Sequence, residues 1–331
     1  MWRDVLIGTY TWRDAEGVYR GRFDDETGAF ETLELAVAAD NPAFLAARGD
    51  MLYAVNEQRE GGVSAFHRDG VDLEFVNAQP SGGSLPCHLS GGPDWVAVAN
   101  YGSGTVALFP TAAEDGRLLP IADSRQHRGN GPNADRQESA HAHEVYVLGS
   151  TLVVPDLGTD KIHRYSVDNH RLHDDGLAIL QAGSGPRHVE MHASLPRLYV
   201  LNELGNTVDV LSWPDLAGVQ QVNTLPRDFA ASSTTAEIQI AQNGRWLYAS
   251  NRGHDSIVSF AIDSGGRLHS PEWVPTRGEH PRYFCHDPSN NWLIVLNQDS
   301  DNVVVYRLNA GRPTDIACES AAPTPVCLLF A

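Results

Sequence analysis

Short apolar runs that each end in Asn or Asp recur along the chain. They are Leu52-Tyr53-Ala54-Val55-Asn56, Val96-Ala97-Val98-Ala99-Asn100, Leu152-Val153-Val154-Pro155-Asp156, Leu198-Tyr199-Val200-Leu201-Asn202, Leu247-Tyr248-Ala249-Ser250-Asn251 and Leu293-Ile294-Val295-Leu296-Asn297. Their closing residues are spaced by 44, 56, 46, 49 and 46 positions. A polar turn and a second alternating run follow each one, as in Gly205-Asn206-Thr207-Val208-Asp209-Val210-Leu211. That is the strand, turn, strand pattern of a β-hairpin. A further run begins 14 to 16 residues before each closing Asn or Asp, at Pro42-Ala43-Phe44-Leu45, Pro86-Cys87-His88-Leu89, Ala142-His143-Glu144-Val145, Pro186-Arg187-His188-Val189, Ala236-Glu237-Ile238-Gln239 and Pro281-Arg282-Tyr283-Phe284.

A seventh copy of that run, Pro325-Val326-Cys327-Leu328-Leu329-Phe330, has no hairpin after it. Its partners are expected at the other end, where Val5 to Tyr10 and Gly17 to Phe23 read as the missing hairpin. Seven units in 331 residues average about 47 each, the length of one four-stranded propeller blade. The expected fold class is therefore all-β: a seven-bladed β-propeller over residues 1–331 as a single domain, one blade being closed by the N- and C-terminal strands. Such closure hides sheet edges. The long 56-residue interval marks an insertion at about residues 111–139, read as a solvated loop, with a lid over the channel mouth as the alternative.

Composition narrows the partners. Asp and Glu number 42 against 24 Lys and Arg, a net charge of −18 that repels phosphate backbones and anionic lipid. Neither nucleic acid nor membrane is expected as a partner, and no apolar run approaches the ~18 residues of a membrane span. Lys161 is the only lysine, so anion recognition falls to Arg, His or backbone amides. Cys87, Cys285, Cys318 and Cys327 lack C-x-x-C spacing and read as reduced, buried thiols. The opening Met1-Trp2-Arg3-Asp4 has an acid where a signal peptide needs an apolar core, giving a cytoplasmic expectation. No nucleotide-binding or zinc-hydrolase motif is present and no cofactor is expected.

Features shared by every blade are architectural; features peculiar to one are candidates for chemistry. The recurring Asn residues read as turn-formers bonding their own backbone. The residue after them varies, as Glu57, Tyr101, Leu157, Glu203, Arg252 and Gln298. So does the second residue of the preceding run, as Ala43, Cys87, His143, Arg187, Glu237, Arg282 and Val326. Equivalent points of a propeller form rings around its channel, so His143, Arg187, Glu203, Glu237, Arg252 and Arg282 can converge from blades three to six. Two readings stay open at this point, a functional ring and a set of inter-blade salt bridges at a wet channel mouth. His141-Ala142-His143 puts two imidazoles on one strand face, but spacing identifies no third metal ligand.

The chain resembles the bacterial 6-phosphogluconolactonases of the seven-bladed lactonase type, whose relatives include the fungal 3-carboxymuconate lactonizing enzymes. The resemblance runs nearly end to end, through Ile7-Gly8-Thr9-Tyr10-Thr11, Asn100-Tyr101-Gly102-Ser103-Gly104, Pro155-Asp156-Leu157-Gly158-Thr159-Asp160, Gly185-Pro186-Arg187-His188, Asn202-Glu203, Ser250-Asn251-Arg252-Gly253 and His280-Pro281-Arg282. Ala140 departs from it, standing where relatives often have Pro. The resemblance implies an active-site set of His143, Arg187, Glu203 and Arg252, and a small anionic sugar lactone as substrate. Hydrolysis of 6-phosphogluconolactone would then use Glu203 or His143 to activate water, the other to handle the leaving oxygen, and Arg187 and Arg252 to hold the oxyanion and anionic groups. Arg282, Arg136 and His141 are the candidates for binding the phosphate. The alternatives are a muconate-type cycloisomerase and a non-catalytic interaction propeller.

Overall fold

A computed structural model describes residues 1–331. It has 28 strands and no helix, arranged as seven four-stranded antiparallel sheets. Blades one to six are consecutive, with strands spanning residues 45–80, 86–126, 146–179, 186–223, 234–275 and 281–321. Blade seven is built from both ends: Pro325–Phe330 pairs with Trp2–Thr9, followed outward by Gly17–Asp24 and Glu34–Ala38. Leu6 faces Leu329 and Ile7 faces Leu328 across this closing ladder. The propeller expected from the repeats, with its shared terminal blade, is the fold observed. No helix is long and apolar enough to cross a membrane.

Side-chain alternation explains why the second strand of each blade carried the clearest repeat. Successive residues of a strand point to opposite faces, and here both faces are covered by neighbouring blades. Trp95, Ala97 and Ala99 pack with Leu152 and Val154 of blade three, whereas Val96 and Val98 pack with Tyr53 and Val55 of blade one. Seven such clusters occupy the seven blade interfaces. Each fully buried large side chain contributes about 1.5–3 kcal/mol, so an unbroken apolar run is selected rather than an alternating one. The outer strands have one wet face and read as polar, as in Asp72–Pro80.

The recurring Asn residues are architectural, but their partners differ from those expected. Asn100 Nδ2 donates to the Ser81 carbonyl, Asn251 to Thr224 and Asn297 to Thr276. Each thus holds the connector arriving from the preceding blade rather than its own turn.

The insertion is also different from the expected solvated loop. Residues 123–126 form the outer strand of blade two, and only the stretch after them is extra. That stretch is a pinned strap running back to the channel. His127 Nδ1 lies 2.7 Å from Asp156 Oδ2 and its Nε2 lies 2.8 Å from the Tyr165 hydroxyl. A carboxylate only accepts, so Nδ1 carries the proton. Gln137, fully buried, donates from Nε2 to the Leu157 carbonyl and Asp160 Oδ1. Gly158 makes room for the strap: a Cβ there would stand 1.8 Å from the Ser139 carbonyl oxygen.

Candidate active site

At one mouth of the channel a cavity of about 270 Å3 is lined by Tyr10, Glu57, Cys87, Tyr101, Arg136, His143, Glu203, Arg252 and Arg282. Two of the rings drawn from the repeat supply most of it. Glu57, Tyr101, Glu203 and Arg252 follow the recurring Asn of blades one, two, four and five, and Tyr10 follows Thr9 at the same point of blade seven. Cys87, His143 and Arg282 come from the second residue of the preceding run. Arg136 alone comes from outside the repeat, delivered by the strap.

Glu203 is the centre of charge. It is 2% exposed, with Arg136 Nη2 at 2.5 Å from Oε1, and Arg252 Nη2 at 2.9 Å and Arg187 Nε at 3.1 Å from Oε2. Burial alone would raise its pKa, but Arg252, Arg187 and Arg136 together outweigh that cost and hold it at about 2. Glu203 is therefore ionised and a weak base at neutral pH.

The arginines are anchored on other atoms. Arg187 donates to the Ala236 carbonyl and, over 3.1 Å, to His188 Nε2. His188 Nδ1 then carries its proton toward Glu237 Oε1, 3.3 Å away. Arg252 donates to the Thr235 carbonyl at 2.6 Å, and Arg282 to the Tyr10 hydroxyl at 2.7 Å. The Nε atoms of Arg187 and Arg252 are buried and have no aligned acceptor. Arg187 Nε has only its contact with Glu203 Oε2, and Arg187 stands behind the cavity lining, which Arg252 reaches directly.

His143 is 5% exposed, with Nε2 4.0 Å from Glu203 Oε2. Burial first, then Arg187 and His188, hold its imidazole well below the ordinary value, so it is neutral. Cys87 donates its thiol to the His143 carbonyl at 3.0 Å, and burial keeps that thiol protonated.

The four residues His143, Arg187, Glu203 and Arg252 come together, and Arg136 and Arg282 join them. His141 does not line the cavity. Its Nδ1 is bound to the Tyr101 carbonyl at 2.8 Å, and its ring is stacked behind Tyr101 at 4.5 Å. Glu237, also on the sequence-derived ring, lies deeper in the channel, in a separate cavity of about 240 Å3 with Glu144 and Glu190. There burial pushes its carboxyl up to about 8. Tyr10, Glu57, Cys87 and Tyr101 lie outside the candidate set because they belong to blades seven, one and two, away from the charged positions of blades three to six. Their positions in the same two rings were the available signal.

One cluster has the atom spacing of a metal site: His127, Asp156 and His163. The two imidazoles are stacked with centroids 3.8 Å apart and planes 23° from parallel. Lone pairs lying in near-parallel planes do not converge on one ion, and both nitrogens of His127 already have partners. The cluster is the pin that holds the strap.

Residues 4–330 match the family described as lactonase, 7-bladed beta-propeller. The chain is 35% identical to the 6-phosphogluconolactonase of Bacillus subtilis strain 168, over 98% of this chain and 97% of that one. A solved Lactobacillus plantarum protein superposes with a TM-score of 0.95 at 30% identity over the whole of both chains. The periplasmic gluconolactonase of Pseudomonas aeruginosa superposes with a TM-score of 0.93 at 27% identity, over 100% of this chain and 99% of that one. Matched by fold, by sequence over nearly its full length and by the family model from residue 4 to residue 330, the chain belongs to the seven-bladed β-propeller lactonase family.

Proposed function

We propose that the protein hydrolyses a sugar lactone in the arginine-lined cavity, with 6-phosphogluconolactone as its substrate. The observation that carries this reading is the set of guanidinium groups of Arg136, Arg187 and Arg252 gathered around one buried, ionised carboxylate beside the neutral His143. They suit an oxygen that becomes negative as a lactone carbonyl turns tetrahedral. In a chain of net charge −18, the three arginines lining this mouth, Arg136, Arg252 and Arg282, form a local exception that attracts an anion.

His143 acts as the base. His143 is neutral in the resting site and so has a free ring nitrogen that can take the proton of the attacking water, whereas Glu203 is held as a stable anion by its arginines. Glu203, 4.0 Å from Nε2, then faces the imidazolium and stabilises it. Glu203 also sets the arginines in place, so its role is electrostatic rather than proton-accepting.

A second reading is an unphosphorylated gluconolactone. The Pseudomonas aeruginosa relative bears that name, and Arg282 and Arg136 are already bonded to Tyr10 and Glu203. Initial rates on 6-phosphogluconolactone, gluconolactone and carboxymuconolactone, each corrected for spontaneous opening, decide between them. Preference for the phosphorylated lactone supports the proposal; equal use of both sugars moves it to the second reading, and turnover of carboxymuconolactone alone overturns both.

A further inference from the structure

Opening a lactone needs a proton for the departing ring oxygen; Glu203 is ionised and holds none, and His143 is already engaged as the base. Glu57 sits at the end of the second strand of blade one, the same repeat position as Glu203 in blade four, three blades around the ring. Both line the same cavity, so the two carboxyl groups face it from opposite sides. Glu57 Oε2 accepts a hydrogen bond from the Tyr10 hydroxyl at 2.7 Å, and the Tyr10 oxygen accepts one from Arg282 at 2.7 Å. The second oxygen, Oε1, has no protein partner and is available to the cavity.

We infer, on the lactonase reading above, that Glu57 is the proton donor to the ring oxygen of the substrate. The two carboxyl groups have opposite surroundings. Three arginines surround Glu203, whereas burial pushes the Glu57 carboxyl upward against the pull of Arg282, the Tyr10 hydroxyl and Arg187. Cys87, the remaining titratable neighbour, stays a neutral thiol. Environments that separate two titratable groups in this way assign an acid and a stabilising anion.

The step balances. Water adds to the carbonyl carbon and its proton passes to His143. The bond between the carbonyl carbon and the ring oxygen then breaks, its electron pair going to the ring oxygen, which takes the proton of Glu57. Glu57 is left as a carboxylate beside Arg282 and Tyr10 and is reprotonated from His143 through solvent, while the new carboxylic acid ionises to bulk.

The test compares lactones with different leaving groups. In Glu57→Gln, kcat on the preferred sugar lactone falls about 100-fold, in line with general acid catalysis, with KM changed less than about threefold. On dihydrocoumarin, whose phenoxide leaving group has a pKa near 10 and needs little protonation, the loss is under about fivefold. The basic limb of the kcat/KM against pH profile disappears in Glu57→Gln. In Tyr10→Phe, which keeps the carboxyl but removes its stabilising donor, that limb moves to higher pH. Equal losses on both lactones with the basic limb intact overturn the assignment. Wild-type protein inactive on every lactone overturns the lactonase reading itself, whereas an active wild type with a fully active Glu57→Gln variant overturns only the role of Glu57.

Discussion

Replacing Glu203 by Gln removes the anion around which three guanidinium groups are arranged, and the structure sets the size of the effect. The folded carboxyl is held at about 2 against an ordinary 4.5, a depression that is equivalent to about 3 kcal/mol. The side chain is 3% exposed, so solvent screening leaves most of this in place. Because the folded pKa is depressed, this stability is present above about pH 4.5 and is lost as pH falls toward 2. The linkage relation gives about 3 kcal/mol at pH 7 and about 1 kcal/mol at pH 3. Urea unfolding of wild type and Glu203→Gln at several pH values between 7 and 3 reads the difference directly. The stability gap is expected to narrow by about 2 kcal/mol over that range, whatever constant offset the amide adds through packing. A gap that stays constant from pH 7 to pH 3 refutes the three-arginine account of Glu203.

The remaining expectations concern the arginines and the strap. Arg187→Lys should lose nearly as much kcat/KM as Arg187→Ala, about 10²–10³-fold, because an ammonium reproduces neither the Ala236 anchor nor the Nε–H donor; recovery by Lys in steady-state kinetics would reduce Arg187 to a point charge. Gln137→Ala removes two buried hydrogen bonds, worth about 1 kcal/mol each. Amide hydrogen exchange should then rise across residues 127–143 and KM should increase through Arg136, with the other blades unchanged; unaltered exchange in that stretch would mean the strap is held elsewhere.

The repeat was legible because the physics of a blade is repetitive. A second strand covered on both faces must be apolar throughout, so that run recurs in every blade, and its final Asn recurs where it holds the connector from the blade before, as at Asn56, Asn100, Asn251 and Asn297; Asn202 instead bonds Thr207 and Asp209 of its own blade. Symmetry put His143, Arg187, Glu203 and Arg252 on one ring with Glu237 and Arg282, since equivalent points in a closed ring of blades face one channel, and the family resemblance singled out those four. Glu57 and Tyr101 obeyed the same rule, yet they belong to blades one and two, outside the run of charged positions that drew attention. Depth along the channel was not legible: Glu237 and Arg187 occupy the same repeat position in adjacent blades, but the Glu237 carboxyl turns to His188 and the lower cavity. The strap was hidden for a different reason. Its polar composition suits a solvated loop, and only the three-dimensional partners of His127 and Gln137 reveal that those polar groups are spent inside the protein.

The central claim is that lactone hydrolysis occurs where Arg187 and Arg252 converge on Glu203. The most direct measurement is the initial rate of acid release from fresh 6-phosphogluconolactone, followed by pH-stat titration against the spontaneous rate, for wild type and the Arg187→Ala/Arg252→Ala double variant. Saturable acceleration by the wild type with none by a folded double variant is the predicted result. A wild type that does not exceed the spontaneous rate, or a double variant that matches the wild type, contradicts the claim.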